Sequence, residues 1–203
     1  SGKTRLLLEA MARLRRDHHN VSMFLVRIEP ARQTSRCAVL QELFRVVLGI
    51  DERDTDEEAR AKLARLPELG ADENGARAVR QLLGYATRES ETGDSLDNAL
   101  RRVISRVGRR MAMLRPLVMA FDGVESADRA SLRILRSILE QPERAPILAI
   151  LTYRPAPGQP WRRLPNFVEH TLAPLDEEET TRLLAERLGT DEVPMRLVGE
   201  VLQ

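Results

Sequence analysis

Two hydrophobic periods alternate along the chain, and their order predicts an architecture. Residues 21–28 (VSMFLVRI), 116–122 (PLVMAFD) and 147–152 (ILAILT) are short, nearly continuous apolar runs. Runs of this length with β-branched and aromatic members are expected for strands buried on both faces of a parallel sheet. Between them apolar residues recur every three to four positions, the period of a helix with one buried face. Leu7, Ala10, Met11 and Leu14 mark such a helix over 4–16, and Val39, Leu40, Leu43, Phe44 and Val47 mark another over 38–48, stopped by Gly49.

From 51 to 92 the chain turns polar and reads as a helical insertion at one edge of the sheet. Thr55-x-x-Glu58 can form a capping box, and 76–86 suggests a second helix there. A loop over 89–94 precedes a long arginine-rich helix over 95–114. Residues 128–139 place Leu132, Leu135, Ile138 and Leu139 on one helical face, and Pro142 and Pro146 end that segment. A weaker strand is expected near 167–172, then a helix capped by Asp176-x-x-Glu179 that stops at Gly189, then another from Pro194. Strands separated by helices predict an α/β fold, a doubly wound parallel sheet flanked by helices, with ligands at the carboxyl ends of the strands. The expected division is a nucleotide-binding core over 1–175 and the start of a helical lid region over 176–203.

Composition narrows this picture. Apolar residues at 42% and charged residues at 31% favour a globular chain over disorder. A net charge of +1 gives no overall electrostatic case for nucleic acid or an anionic membrane as partner. Of the 32 basic residues 30 are arginine, which reads as codon bias. Arg101, Arg102, Arg106, Arg109 and Arg110 form the polar face of a helix whose other face carries Leu100, Val103, Ile104, Val107 and Met111, so a solvated face is favoured over a DNA contact. The single Cys37 excludes an internal disulfide and a cysteine-based zinc cluster, and a reducing cytoplasm is the expected compartment.

The candidate chemistry sits where the predicted strands end. Ser1-Gly2-Lys3-Thr4, running into an apolar helix, matches the last four residues of the phosphate-binding pattern G-x-x-x-x-G-K-[ST]. In such a loop backbone N–H groups and a helix N-terminus hold phosphate, the lysine reaches the β/γ-phosphates, and the final hydroxyl coordinates Mg²⁺. The leading glycine and the strand before it are expected upstream of Ser1. Asp122 closes the second apolar run, where an acid can hold Mg²⁺ directly or through water. Arg154, just past the third, can sense a γ-phosphate. His18 and His19 fall in a polar turn with no nucleophile beside them, and Trp161 reads equally as a packing anchor or a contact for a neighbouring domain. Arg36 can lower the pKa of Cys37, although an inert, half-buried thiol is the favoured reading.

The runs SGKTRLLLEAMARLRR, RPLVMAFDGVESADRASLRILRSI, PILAILTYRP and LAPLDEEETTRLLAERLG, in that order, resemble the AAA-like P-loop ATPase modules of STAND-type bacterial signalling proteins. Such modules are fused to serine/threonine kinases, nucleotide cyclases or LuxR-type transcription regulators. The resemblance implies an ATP/ADP-dependent switch that uses Mg²⁺, with effector and sensor domains in the same full-length chain and homo-oligomerisation on activation. It assigns phosphate and metal binding to Gly2, Lys3 and Thr4 beside Ser1. Asp122 becomes the Walker-B acid, Arg154 the sensor arginine, and Asp128 the acid that ends the Walker-B extension.

One departure bears on catalysis. The family carries two adjacent acids and then a hydrophobic-His-Trp-Ala-Asp stretch, whereas this chain reads Asp122-Gly123-Val124-Glu125-Ser126-Ala127-Asp128. Gly123 replaces the acid that polarises the attacking water, and loss of such a base costs about 10²–10⁴-fold in rate. Glu125 is the one substitute nearby, approaching from another direction. Weak or absent hydrolysis is therefore expected, the alternatives being an active ATPase that uses Glu125 and a scaffold that binds no nucleotide. A small-molecule P-loop kinase is disfavoured, because it needs an arginine-rich lid and an acceptor-site acid. The family's base-contacting Gly-x-Pro segment and winged-helix lid are expected beyond residue 203, so residues 1–203 alone are expected to bind nucleotide poorly.

Overall fold

The computed structural model describes residues 2–28, 37–85, 93–140, 145–155, 159–164, 166–190 and 192–201, with the side chains of Gly70, Ile138 and Pro160 left aside. Ser1, Arg36 and the greater part of the 89–94 loop lie outside them. The described chain divides into two compact units, Lys3–Phe167 and a smaller one of Ser1–Gly2 with Val168–Gln203.

The larger unit is built on a three-stranded parallel sheet, β1 (Ser22–Arg27), β2 (Leu117–Asp122) and β3 (Ile147–Thr152), in the order β1-β2-β3. Pleat parity sorts its side chains onto two faces. Val26, Leu117, Met119 and Phe121 point into the main core with helices α2 (Ala38–Leu48), α6 (Gly93–Leu114) and α7 (Arg129–Leu139). Val118 and Ala120 face the other way, onto Leu7 and Met11 of α1 (Lys3–Asp17), with Met23, Leu25 and Ile150 beside them. The result is an α/β sandwich, the architecture of a P-loop NTPase.

Three of the four predicted strands form, but only β2 is buried on both faces. β1 and β3 have one sheet neighbour each among the described residues and most of their side chains are only partly buried, with Leu148 51% exposed. The strand expected near 167–172 does not form. That stretch has no ladder partner among the described residues, and Val168 and Leu172 face solvent. A β-compatible run without a neighbour leaves its backbone groups to water and gains no ladder. The long helix starts at Gly93, so the end of the expected 89–94 loop is helical. Among the described side chains of α7 the most buried are Ser131 and Ile134, outside the expected face, although Leu135 belongs to both.

The polar stretch folds as α3 (Asp56–Ala64), α4 (Pro67–Gly70) and α5 (Glu73–Leu82). Thr55 and Glu58 close the expected capping box, with Thr55 N–H donating to Glu58 Oε2 at 2.8 Å and Glu58 N–H to Thr55 Oγ1 at 3.3 Å. α5 begins before the predicted 76 because Asp72 caps it, its carboxylate accepting the Gly75 N–H at 2.9 Å. A side chain at Gly75 would meet Val103 Cγ2 at 2.6 Å, so glycine is what lets α5 lie close on α6. Arg106 and Arg110 pair with Asp72 and Glu68, which ties part of the arginine-rich face to these helices.

Asp54 receives a hydrogen bond from Lys62 and another from the Asp51 N–H, and these hold its carboxyl below the usual value of 3.8. A depressed carboxylate pKa contributes stability that is complete above the unfolded value and lost as pH falls through the folded one. Asp54→Asn should therefore flatten the loss of stability as pH falls below about 4. Urea midpoints of both proteins across that range check this, and parallel acid limbs would contradict it.

The smaller unit pairs α8 (Glu177–Leu188) with α9 (Met195–Val201). Asp176 and Glu179 form a full capping box at the start of α8, and Gly189 ends it in the left-handed region at φ 67°. Glu177, Glu178 and Glu179 occupy the first turn, where negative charge suits the helix dipole.

Candidate nucleotide site

In the sheet register Arg27, Asp122 and Thr152 lie side by side at the carboxyl ends of the three strands. They share pleat parity with Leu25, Ala120 and Ile150, so all three lie on the face covered by α1. Packing of Leu7 and Met11 on that face brings the first turn of α1 to the same end. Thr4 consequently reaches Asp122 from 118 residues away, its hydroxyl donating to Oδ2 at 2.9 Å and Oδ1 at 3.2 Å. The two metal-site residues read from sequence are thus in direct contact.

Thr152, which the sequence reading did not single out, completes the arrangement. Its hydroxyl donates to Asp122 Oδ1 and accepts the Gly123 N–H at 3.0 Å. The Asp122 carboxylate is held from both sides, by α1 and by β3. A hydroxyl-bearing last residue in the third strand was the available signal, but its meaning depends on strand register.

Lys3 opens α1, and the first turn of that helix carries no acid. No acid of the helix's own first turn competes for its positive dipole end, which suits an anion there. Gly2 is an exposed turn residue with nothing within 4 Å of the place a Cβ would take. A hydroxyl and a carboxylate in contact are hard oxygen donors, and Mg²⁺ is commonly bound by one or two such protein oxygens together with substrate phosphates. Among the described residues no cluster of three or more His, Cys, Asp or Glu offers an all-protein metal site. The residues present fit a nucleotide-bound Mg²⁺.

Gly123 has a backbone reason to be glycine. Its φ is +82°, and a Cβ there would lie 3.2 Å from the Ile28 carbonyl oxygen. The turn is stitched to both neighbouring strands, with Ile28 N–H donating to the Asp122 carbonyl at 2.9 Å and Gly123 N–H to the Thr152 carbonyl at 3.2 Å. An L-residue in this conformation costs about 1–2 kcal/mol. Gly123→Ala should lower stability by that amount, read from the urea midpoint at unchanged slope. No change would show that the turn relaxes freely.

Beyond the glycine, Val124–Ser126 forms one 3-10 turn anchored by the buried Val124. It presents Glu125 to Arg154, Oε1 to Nε at 3.9 Å. The Arg154 backbone is fixed by Gln159, whose Nε2 donates to its carbonyl at 2.9 Å. Trp161 is a packing anchor: it is 6% exposed and stacks at a tilt on Tyr153 with centroids 5.3 Å apart. Gln159 carries no motif signal and was legible only from the fold.

Asp128 holds two helix starts together. Its Oδ1 accepts the Cys37 N–H at 3.0 Å and the Ser131 N–H at 2.9 Å, and its Oδ2 accepts from the Ser131 hydroxyl at 2.6 Å. Cys37 itself is buried, at φ 62°, and gives α2 no side-chain cap. His18 and His19 are exposed in the turn after α1.

A family model, AAA ATPase domain, matches residues 1–150. The chain belongs to the AAA ATPase domain family. No curated protein and no solved structure matches it. The matched span holds Lys3, Thr4, Asp122, Gly123, Glu125 and Asp128 and ends before Thr152 and Arg154. An AAA ATPase domain is a nucleotide-binding module, and Mg²⁺ usually accompanies the nucleotide in such domains. Among the described residues no helix is long and apolar enough to cross a membrane.

Proposed function

We propose that this AAA ATPase domain is an ATP/ADP-binding regulatory switch, with hydrolysis weak or absent, inside a larger bacterial signalling protein. The observation that carries the reading is the Thr4–Asp122 contact immediately beside a glycine in the place of the second acid. Lys3 and the N-terminus of α1 would bind the phosphates, and Thr4 and Asp122 would hold Mg²⁺, which when bound neutralises phosphate charge. Thr152 orients the Asp122 carboxylate by donating to it. Gly123 has no group to take a proton from water, and the conformation of its turn disfavours any side chain that would.

STAND-type modules act through attached effector domains, which is the basis for proposing regulation as the output, with oligomerisation as its means. The site's work would then be to hold one nucleotide long enough to define a state. Phosphate release by the full-length protein tests the slow-hydrolysis half. Enzymes commonly turn over near 10 s⁻¹, so loss of a base predicts a rate of about 10⁻¹ to 10⁻³ s⁻¹. A faster rate that disappears in Lys3→Ala would establish an active ATPase instead.

A further inference from the structure

The position of Glu125 suggests a use other than catalysis. Its carboxylate rides on a fixed support: Val124 is 1% exposed, the Ser126 N–H donates to the Gly123 carbonyl at 3.0 Å, and the Ala127 N–H to the Val124 carbonyl at 3.1 Å. The Glu125 side chain is only 28% exposed. Arg154 is the opposite kind of group. Its main chain is pinned by Gln159 and flanked by the Tyr153–Trp161 stack, while its side chain is 84% exposed and therefore able to swing.

We propose that Glu125 is the resting-state counterion of Arg154 and that the terminal phosphate of a nucleoside triphosphate displaces it. Glu125 thereby limits the preference for triphosphate over diphosphate, because only a triphosphate has to displace it. The inference rests on the nucleotide reading above and adds a specificity-determining residue to that site. At 3.9 Å the Nε–Oε1 contact is too long for a charge-assisted hydrogen bond, so it restrains the guanidinium weakly. A terminal phosphate carries more charge than a carboxylate and matches the planar donor fork of arginine, so it competes effectively for the same group. A diphosphate lacks that terminal group and leaves Arg154 with Glu125. A strong bidentate pair in this place would resist exchange, whereas a weak one on a fixed carboxylate permits it.

The test is a titration of the full-length protein and its Glu125→Gln, Arg154→Gln and doubly substituted forms with ATP and with ADP, each with Mg²⁺. Glu125→Gln should tighten ATP binding about 2–5-fold, the range set by weak exposed ion pairs, and leave ADP unchanged. With Arg154→Gln already present, Glu125→Gln should have no effect on ATP. Equal tightening of ATP with and without Arg154 would mean that Glu125 merely repels phosphate, and the exchange would be wrong. Equal tightening of ATP and ADP, or no change in either, would overturn it as well, while leaving the nucleotide reading intact. Failure of the unsubstituted protein to bind either nucleotide would remove that reading and this inference together. Unchanged thermal midpoints for the variants would confirm that folding is not what the titrations report.

Discussion

Lys3→Ala is expected to weaken nucleotide binding by the full-length protein about 100-fold, with little change in stability. Lys3 is the first residue of α1, beside Thr4, whose hydroxyl lies on Asp122. Removing an ammonium that hydrogen-bonds phosphate leaves the phosphate charge without that partner. A charge-assisted interaction of this kind contributes about 1.5–3 kcal/mol, and the upper end corresponds to roughly 100-fold in the dissociation constant. The helix itself should persist, because alanine is the best helix former and the buried contacts of α1 come from Leu7 and Met11. Competition against a fluorescent ATP analogue measures the loss. A change below about 5-fold would place the phosphates elsewhere and remove Lys3 from the site.

The second large effect is on stability. Asp128→Ala should cost about 3 kcal/mol, lowering the melting temperature by about 6–12 °C for a domain of this size. Three donors lose their acceptor at once: the Cys37 N–H, the Ser131 N–H and the Ser131 hydroxyl. Loss of the cap on α7 accounts for about 1 kcal/mol. The Cys37 N–H is the larger part, since its residue is 1% exposed and a buried donor left unpaired costs about 1–3 kcal/mol. Asp128→Asn keeps a carbonyl acceptor and should lose only about 1 kcal/mol. If alanine and asparagine were equally damaging, the carboxylate charge rather than its acceptor geometry would be what matters. Within the segment from Asp122 to Asp128, Asp122 thus contacts Thr4 at the strand ends while Asp128 pins two helix starts.

Much of this was legible in the amino-acid order. β2 and β3 are continuous apolar runs whose ends are marked by a proline before each and a polar residue at the close, and both form where predicted. The start of α8 was readable because its capping box is local: three residues separate Asp176 from Glu179, and backbone geometry alone brings them together. The same holds for Thr55 and Glu58. The failures are equally physical. Residues 167–172 have a strand-like composition, but a strand exists only if another offers its ladder. α5 starts early because Asp72 turns its carboxylate onto the Gly75 N–H, which an apolar period does not register.

By itself the chain determined the alternation of strands and helices, the choice of Lys3, Thr4 and Asp122 as candidate site residues, and the lack of an acid beside Asp122. Each of these follows from side-chain type and near-neighbour spacing. Only the tertiary structure decided that Thr152 orients Asp122, that Glu125 faces Arg154, and that Asp128 accepts the N–H of Cys37, 91 residues earlier, just before α2. It also explained Gly123, by setting its φ at +82° against the Ile28 carbonyl. These relations depend on strand register and on helix packing across the sheet, which place distant residues within hydrogen-bonding reach. No local period in the chain encodes such distances.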